Sequence, residues 1–335
     1  MNLTLTENSD YIKWAIETTK SILFYLSISL LPLGIVFNTI EIVIFQMGKF
    51  QKTTMGFFFS INSSLNIITI LYLLTFVPSA TFSIYLHLQS DTSCKVYYFL
   101  LRSLYQASSW LNVVITADRL LFILFPNRFK FQKNKKILTI ILLGVFGIIL
   151  ILNIPNLMLY RNVILTKQPN SQTLMTIYCT AQPKILIARD ILLISMRTFI
   201  PFILMLFMNL LLVYKVKKTR DRLKRSHNMR NEFRFVFTVI ATTFIFLVIF
   251  VPNVIYIVLS DLFQNSQHFQ LKQTYSAFLV LFETVSSLGY FANYSLNIFA
   301  QFTFNKAFSN QFFFLVRVLI QKKQIAIEQK NFRKK

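Results

Sequence analysis

The chain has 335 residues, 55% of them hydrophobic and only 14% charged, with a mean hydropathy of +0.55. Soluble domains carry about 25% charged residues, so the composition excludes an ordinary soluble domain and indicates an integral membrane protein. The formal net charge of +23 raises nucleic acid as a partner, but the placement of the basic residues, taken up below, argues against it.

Residues 1–20 are polar, include Glu7, Asp10 and Glu17, and lack the apolar core of a secretory leader. Asn2-Leu3-Thr4 is a glycosylation sequon, which makes Asn2 an expected glycan site. Seven apolar stretches follow, each long enough to cross a bilayer as a helix of ~20 residues. They are placed at 21–47, 54–86, 94–125, 137–160, 187–216, 233–260 and 274–302. Connections are short, apart from a polar loop at 161–186 that contains Cys179, and no internal repeat is present. The expected fold is therefore an all-α membrane protein: a seven-helix bundle over 21–302, an extracellular N-terminus over 1–20 and a basic cytoplasmic tail over 303–335. Within that tail, FFFLVRVLI is too short to span and reads as an amphipathic helix on the inner leaflet, where anionic lipids would add about 1 kcal/mol per nearby basic residue.

Orientation follows from lysine and arginine. The segments 48–53, 127–136, 215–234 and 303–335 hold 2, 5, 9 and 8 of the 35, against 2, 1, 4 and 1 in 1–20, 87–95, 160–189 and 261–273. This places the N-terminus outside and the C-terminus inside, as an odd number of spans requires. It also accounts for the charge with membrane lipids as partners and no nucleic acid.

The third span organises the rest. From Cys94 to Arg119 a helix would run about 37 Å, against a hydrocarbon core of ~30 Å, so its two ends face different compartments. The two cysteines, Cys94 and Cys179, both fall outside by this topology. They form either a bridge tying the long loop to the third span or two unrelated buried thiols, and the bridge is the expectation.

These features, with Asp118-Arg119 twenty-five residues after Cys94, resemble a rhodopsin-like (class A) G protein-coupled receptor from Asn38 to Phe308. Asn38 matches the first-span asparagine, and Asn66 stands where most members carry aspartate. Pro201 matches the fifth-span proline. Phe246 and Pro252 match the sixth-span motif, with Phe250 in place of its tryptophan. Asn293 to Asn297 match in the seventh, but Ile298 replaces the proline and Gln301 the tyrosine. Leu120 replaces the tyrosine after Arg119, and the fourth-span tryptophan is missing. The departures resemble invertebrate peptide-receptor branches.

The resemblance implies a plasma-membrane receptor that passes an extracellular signal to a heterotrimeric G protein by a population shift. It also implies roles for particular residues. Asp118, Arg119, Glu232, Phe246, Phe250, Pro252 and Asn297 would serve activation and coupling, Glu232 lying twenty residues before Pro252, where the family's glutamate pairs with the arginine. Asn38, Asn66, Ser108 and Asn293 would form a polar network. Glu41 could face that network or sit near the inner edge, and the second is the expectation. Asn66 offers no carboxylate for the family's sodium site, so weak sodium sensitivity is expected.

Ionisable residues inside a span point to function. Arg102 lies eight residues inside Cys94 and Arg197 four before Pro201, both in the outer half. With Tyr105 and a possible counter-ion in Glu283, they form the expected ligand site, and two arginines favour an acidic ligand or a peptide carboxylate. The bland alternative is a structural arginine snorkelling outward or bonded to Glu283. Leu101, where amine receptors carry aspartate, argues against a biogenic amine, and the absence of lysine from 274–301 argues against retinal. His87, His227 and His268 are scattered, and the six glycines make no phosphate loop, so no enzyme activity, metal or cofactor is expected. A transporter or channel would need broken helices duplicated in two halves, which are not seen. A non-signalling scaffold is the remaining alternative, argued from Phe250, Ile298 and Gln301.

Overall fold

The computed structural model describes residues 3–48, 50–82, 89–125, 134–159, 161–167, 174–180, 191–192, 195–223, 227–264 and 269–332. Asn2 lies outside them. The spanning helices are α1 (Leu3–Gln46), α2 (Thr54–Phe82), α3 (Asp91–Leu124), α4 (Lys135–Leu159), α5 (Ile200–Leu223), α6 (His227–Gln264) and α7 (Phe269–Ser295). Two further helices follow, α8 (Asn297–Phe304) and α9 (Lys306–Phe332). Among the described residues, six helices are long and apolar enough to cross a membrane by length and composition. The seventh, α7, packs against α1, α2 and α6 and completes the bundle.

Sequence fixes several helix ends locally. Ser90 and Ser93 form a reciprocal capping box at the start of α3, each accepting the other's backbone N–H at 3.1 and 3.0 Å, which satisfies two donors that the first turn leaves open. Thr53 Oγ accepts the Gly56 N–H at 3.0 Å ahead of α2. Asn305 Oδ1 accepts the Phe308 N–H at 3.2 Å and starts α9.

Two elements depart from expectation. The polar N-terminal stretch is not separate from the bundle: α1 runs 44 residues, through position 20, about 66 Å at 1.5 Å per residue. Its extension docks on α7 through a 3.0 Å hydrogen bond between Thr19 and Thr284. The loop 161–186 contains an antiparallel hairpin, β1 (Arg161–Lys167) and β2 (Leu174–Thr180), with Asn162 opposite Cys179. The fold is thus helical with a small β-hairpin at one end. Cys179 is bonded to Cys94 at the start of α3, with Cα atoms 5.7 Å apart.

The core changes character along the bundle. Near the α1–α2 turn it is aromatic. Phe45 packs on Phe50, Phe59 and Phe308 with ring centroids 5.3, 5.1 and 5.2 Å away, and Phe302 lies 5.2 Å from Phe308. These contacts lock α9 onto α1 and α2, while Phe313, Phe314 and Ile320 remain exposed on α9. Midway along the bundle, Leu31, Ile70, Val113, Met205, Phe250 and Tyr294 form a second cluster. There α1 approaches α7 so closely that a Cβ on Gly34 would lie 2.4 Å from Ser295 Oγ.

Candidate functional site

The first group centres on Arg197. A π-helical turn, Ser195–Phe199, precedes α5. Pro201 cannot donate to the carbonyl four residues earlier, and a wide turn absorbs that interruption. The turn leaves the Met196 carbonyl open to the side, where Trp110 Nε1 of α3 donates to it at 2.9 Å. It also swings Arg197 inward, leaving that residue only 6% exposed. The guanidinium carbon lies 4.0 Å from the Tyr105 ring centroid and 5.8 Å from that of Phe250. Tyr105 is itself stacked on Tyr294 at 6.1 Å. One cation therefore bears on rings from α3 and α6, backed by α7, an arrangement that aromatic faces stabilise electrostatically.

Arg102 is one turn closer to the disulfide, half-buried, with its guanidinium 5.7 Å from the Tyr98 ring. Next to it Tyr72 and Tyr97 stack at 5.3 Å, and Tyr72 donates to the Tyr97 carbonyl at 2.7 Å. Glu283 does not join this group. Its carboxyl lies toward Tyr256 of α6, and among the described residues it pairs with neither arginine. Aromatic rings lie against both guanidinium groups, Tyr98 against Arg102, and Tyr105 and Phe250 against Arg197.

The second group lies at the opposite end of α3. Arg119 is 3% exposed, ion-paired to Asp118 at 2.9 Å, and donates from Nη2 to Thr54 Oγ1 at the start of α2. Thr54 carries no sequence signal and was not anticipated. Glu232 and Phe246 have their backbones in α6, but their side chains lie outside the described residues.

Between the two groups runs a polar seam. Asn38 donates to the carbonyls of Gly34 at 2.7 Å and Tyr294 at 2.8 Å, and accepts from Asn66 at 3.1 Å. Glu41 belongs to this seam, not to the inner edge. It is fully buried and accepts from Ser63 Oγ at 2.6 Å, and the Asn297 amide lies against the same carboxyl. Spacing could have revealed it, because Glu41 is three residues beyond Asn38 and so shares its helix face. Ser108 is buried and Asn293 half-buried, but among the described residues neither joins the seam's hydrogen bonds. A separate polar clamp links α3 and α4. Asn153 donates to Gln106 Oε1 at 2.6 Å, and Asn156 donates to Asn153 Oδ1 at 3.0 Å.

A seven-helix membrane bundle, tied by a disulfide at one end of α3 and carrying a buried Asp-Arg pair at the other, defines a receptor of the transmembrane signalling class. The chain matches the family model of the 7 transmembrane receptor (rhodopsin family) over residues 38–289 and belongs to that family. This is a family of multi-pass plasma-membrane receptors, not of enzymes. No curated protein sequence matches the chain.

Proposed function

We propose that this receptor binds an acidic ligand, a small anion or the carboxylate of a short peptide, and couples that event to a heterotrimeric G protein. The observation that carries the reading is Arg197 held against Tyr105 and beside Phe250. A guanidinium offers paired hydrogen bonds to a carboxylate. An anion drawing Arg197 toward itself would change the packing of rings on α3 and α6 together, favouring one arrangement of those helices over another. The lysine and arginine bias supports an orientation with the disulfide end outside. In that orientation Arg119 belongs to the end that would meet the G protein, and the basic residues counted in 127–136 and 215–234 support this reading. The exposed Phe313, Phe314 and Ile320 of α9, next to Lys322 and Lys323 in the sequence, support contact with anionic lipid.

The test is a panel of acidic peptides and small carboxylates with a G protein dissociation readout in expressing cells. For any agonist found, Arg197→Ala reduces potency at least tenfold, while Arg197→Lys recovers part of it. Full potency in both Arg197→Ala and Arg102→Ala receptors at equal surface expression would remove this site from ligand binding.

A further inference from the structure

We propose that Glu41 is a latch that holds the segment after the seventh-span break against α1 and α2. The break itself needs an explanation. The span parts at Leu296, between α7 and α8, although residue 298 is isoleucine and no proline or glycine lies between 290 and 305. A helix bends sharply without those residues when a side chain enters its hydrogen-bond ladder. Asn38 does this by donating to the Tyr294 carbonyl at 2.8 Å. Beyond the break the ladder tightens, with the Phe299 N–H bonding Leu296 O at 3.1 Å.

Asn297, the first residue of α8, then meets Glu41. The carboxyl is completely buried, with Ser63 donating to Oε2 at 2.6 Å. The Asn297 amide lies against the same carboxyl, and Glu41 Oε1 and Asn297 Nδ2 are both buried polar atoms that no hydrogen bond of full geometry satisfies. Going from the Asn38–Asn66 pair to the Glu41–Ser63 pair moves three residues along α1 and three back along α2, the register of two antiparallel helices. One face of α1 therefore grips the seventh span on both sides of its break, Asn38 above and Glu41 below. The 2.6 Å bond runs to α2, and the contact to α8 lacks full hydrogen-bond geometry, which makes the α8 side the releasable side of the latch. Because α8 packs on α6 and α9, its release bears on the helix carrying Phe250 and Pro252. An ionisable group buried in a membrane helix is costly, and a latch gives this one a function.

The test does not depend on knowing the ligand or the G protein. The only two cysteines are joined in the disulfide, so spin labels at Gln46→Cys and Thr303→Cys, both exposed positions on α1 and α8, report one distance. In Glu41→Ala this distance moves by about 2 Å, the scale of helix shifts in switching proteins, and its distribution broadens. Glu41→Gln, able to bond both Ser63 and Asn297, keeps the wild-type distribution. Asn297→Ala moves the distance the same way, and carries the test if Glu41→Ala does not reach the surface. The latch is overturned by a wild-type distribution in Asn297→Ala or in a surface-expressed Glu41→Ala, or by Glu41→Gln shifting as far as Glu41→Ala.

Discussion

Arg197 and Arg119 are both buried arginines in a membrane protein, yet they sit in different surroundings. Around Arg119 the partners are a carboxylate and a hydroxyl, 2.9 Å away in the case of Asp118. Arg197 lies against the ring faces of Tyr105 and Phe250. A carboxylate in a low-dielectric setting binds a guanidinium strongly and directionally. A ring stabilises the cation through its quadrupole, more weakly and without matching the fork of N–H donors. The first arrangement suits a charge that is stored until the bundle rearranges. A ring face is the weaker contact of the two, and the one a carboxylate would displace more readily.

The sharpest way to break this contrast is at Tyr105. If the ring face stabilises Arg197, Tyr105→Ala leaves a buried cation over a gap and costs about 2 kcal/mol, read as a loss of thermal stability in the detergent-solubilised receptor. Tyr105→Phe keeps the face and stays near wild type. Equal losses in both variants would show that the hydroxyl matters, and the two arginines would then be alike. A smaller effect is expected at the other end. Thr54→Val removes one hydrogen bond to a charged group, worth about 1.5–3 kcal/mol, part of which Asp118 retains. Arg119 is then released more readily, and agonist-independent G protein dissociation rises several-fold at equal surface expression. An unchanged basal level would place Thr54 outside the restraint on Arg119.

The contrast also separates what was legible in the sequence from what was not. Spans are legible because lipid provides no hydrogen bonds, so each crossing must be a continuous apolar helix. The disulfide was legible once topology put both cysteines on one side. The extension of α1 was not, because its polar residues 3–20 leave no hydropathy signal, and their helicity rests on continuity with the span and on docking to α7. The hairpin could have been read from the β-branched Val163, Ile164 and Thr166 in one strand and Thr176 and Ile177 in the other. The π-helical turn had no local signature beyond Pro201, and it is this turn that brings Arg197 to Tyr105. Arginine content marked Arg102 and Arg197 within the spans, but their ring neighbours depend on packing between helices that the sequence does not display.

The α3–α4 clamp is a control for the whole comparison, since it is a buried polar contact that includes neither arginine. α4 is otherwise held mainly by apolar side chains such as Leu138, Leu142 and Ile149, with Ile140, Leu143, Ile151 and Met158 exposed along its outer surface. Asn153 joins it to Gln106 and, through Asn156, continues the bond along the helix. Polar contacts between membrane helices average only about 0.6 kcal/mol in double-mutant cycles, because the separated helices find other partners. Asn153→Leu should therefore lower stability by roughly that amount and leave both basal and agonist-driven signalling unchanged. The Gln106→Leu/Asn153→Leu double variant should recover part of the loss, since burying one unsatisfied amide costs more than burying none. A change in signalling with Asn153→Leu would mean that α4 moves with the signal, and that the working parts of the bundle extend beyond the helices that carry Arg197 and Arg119.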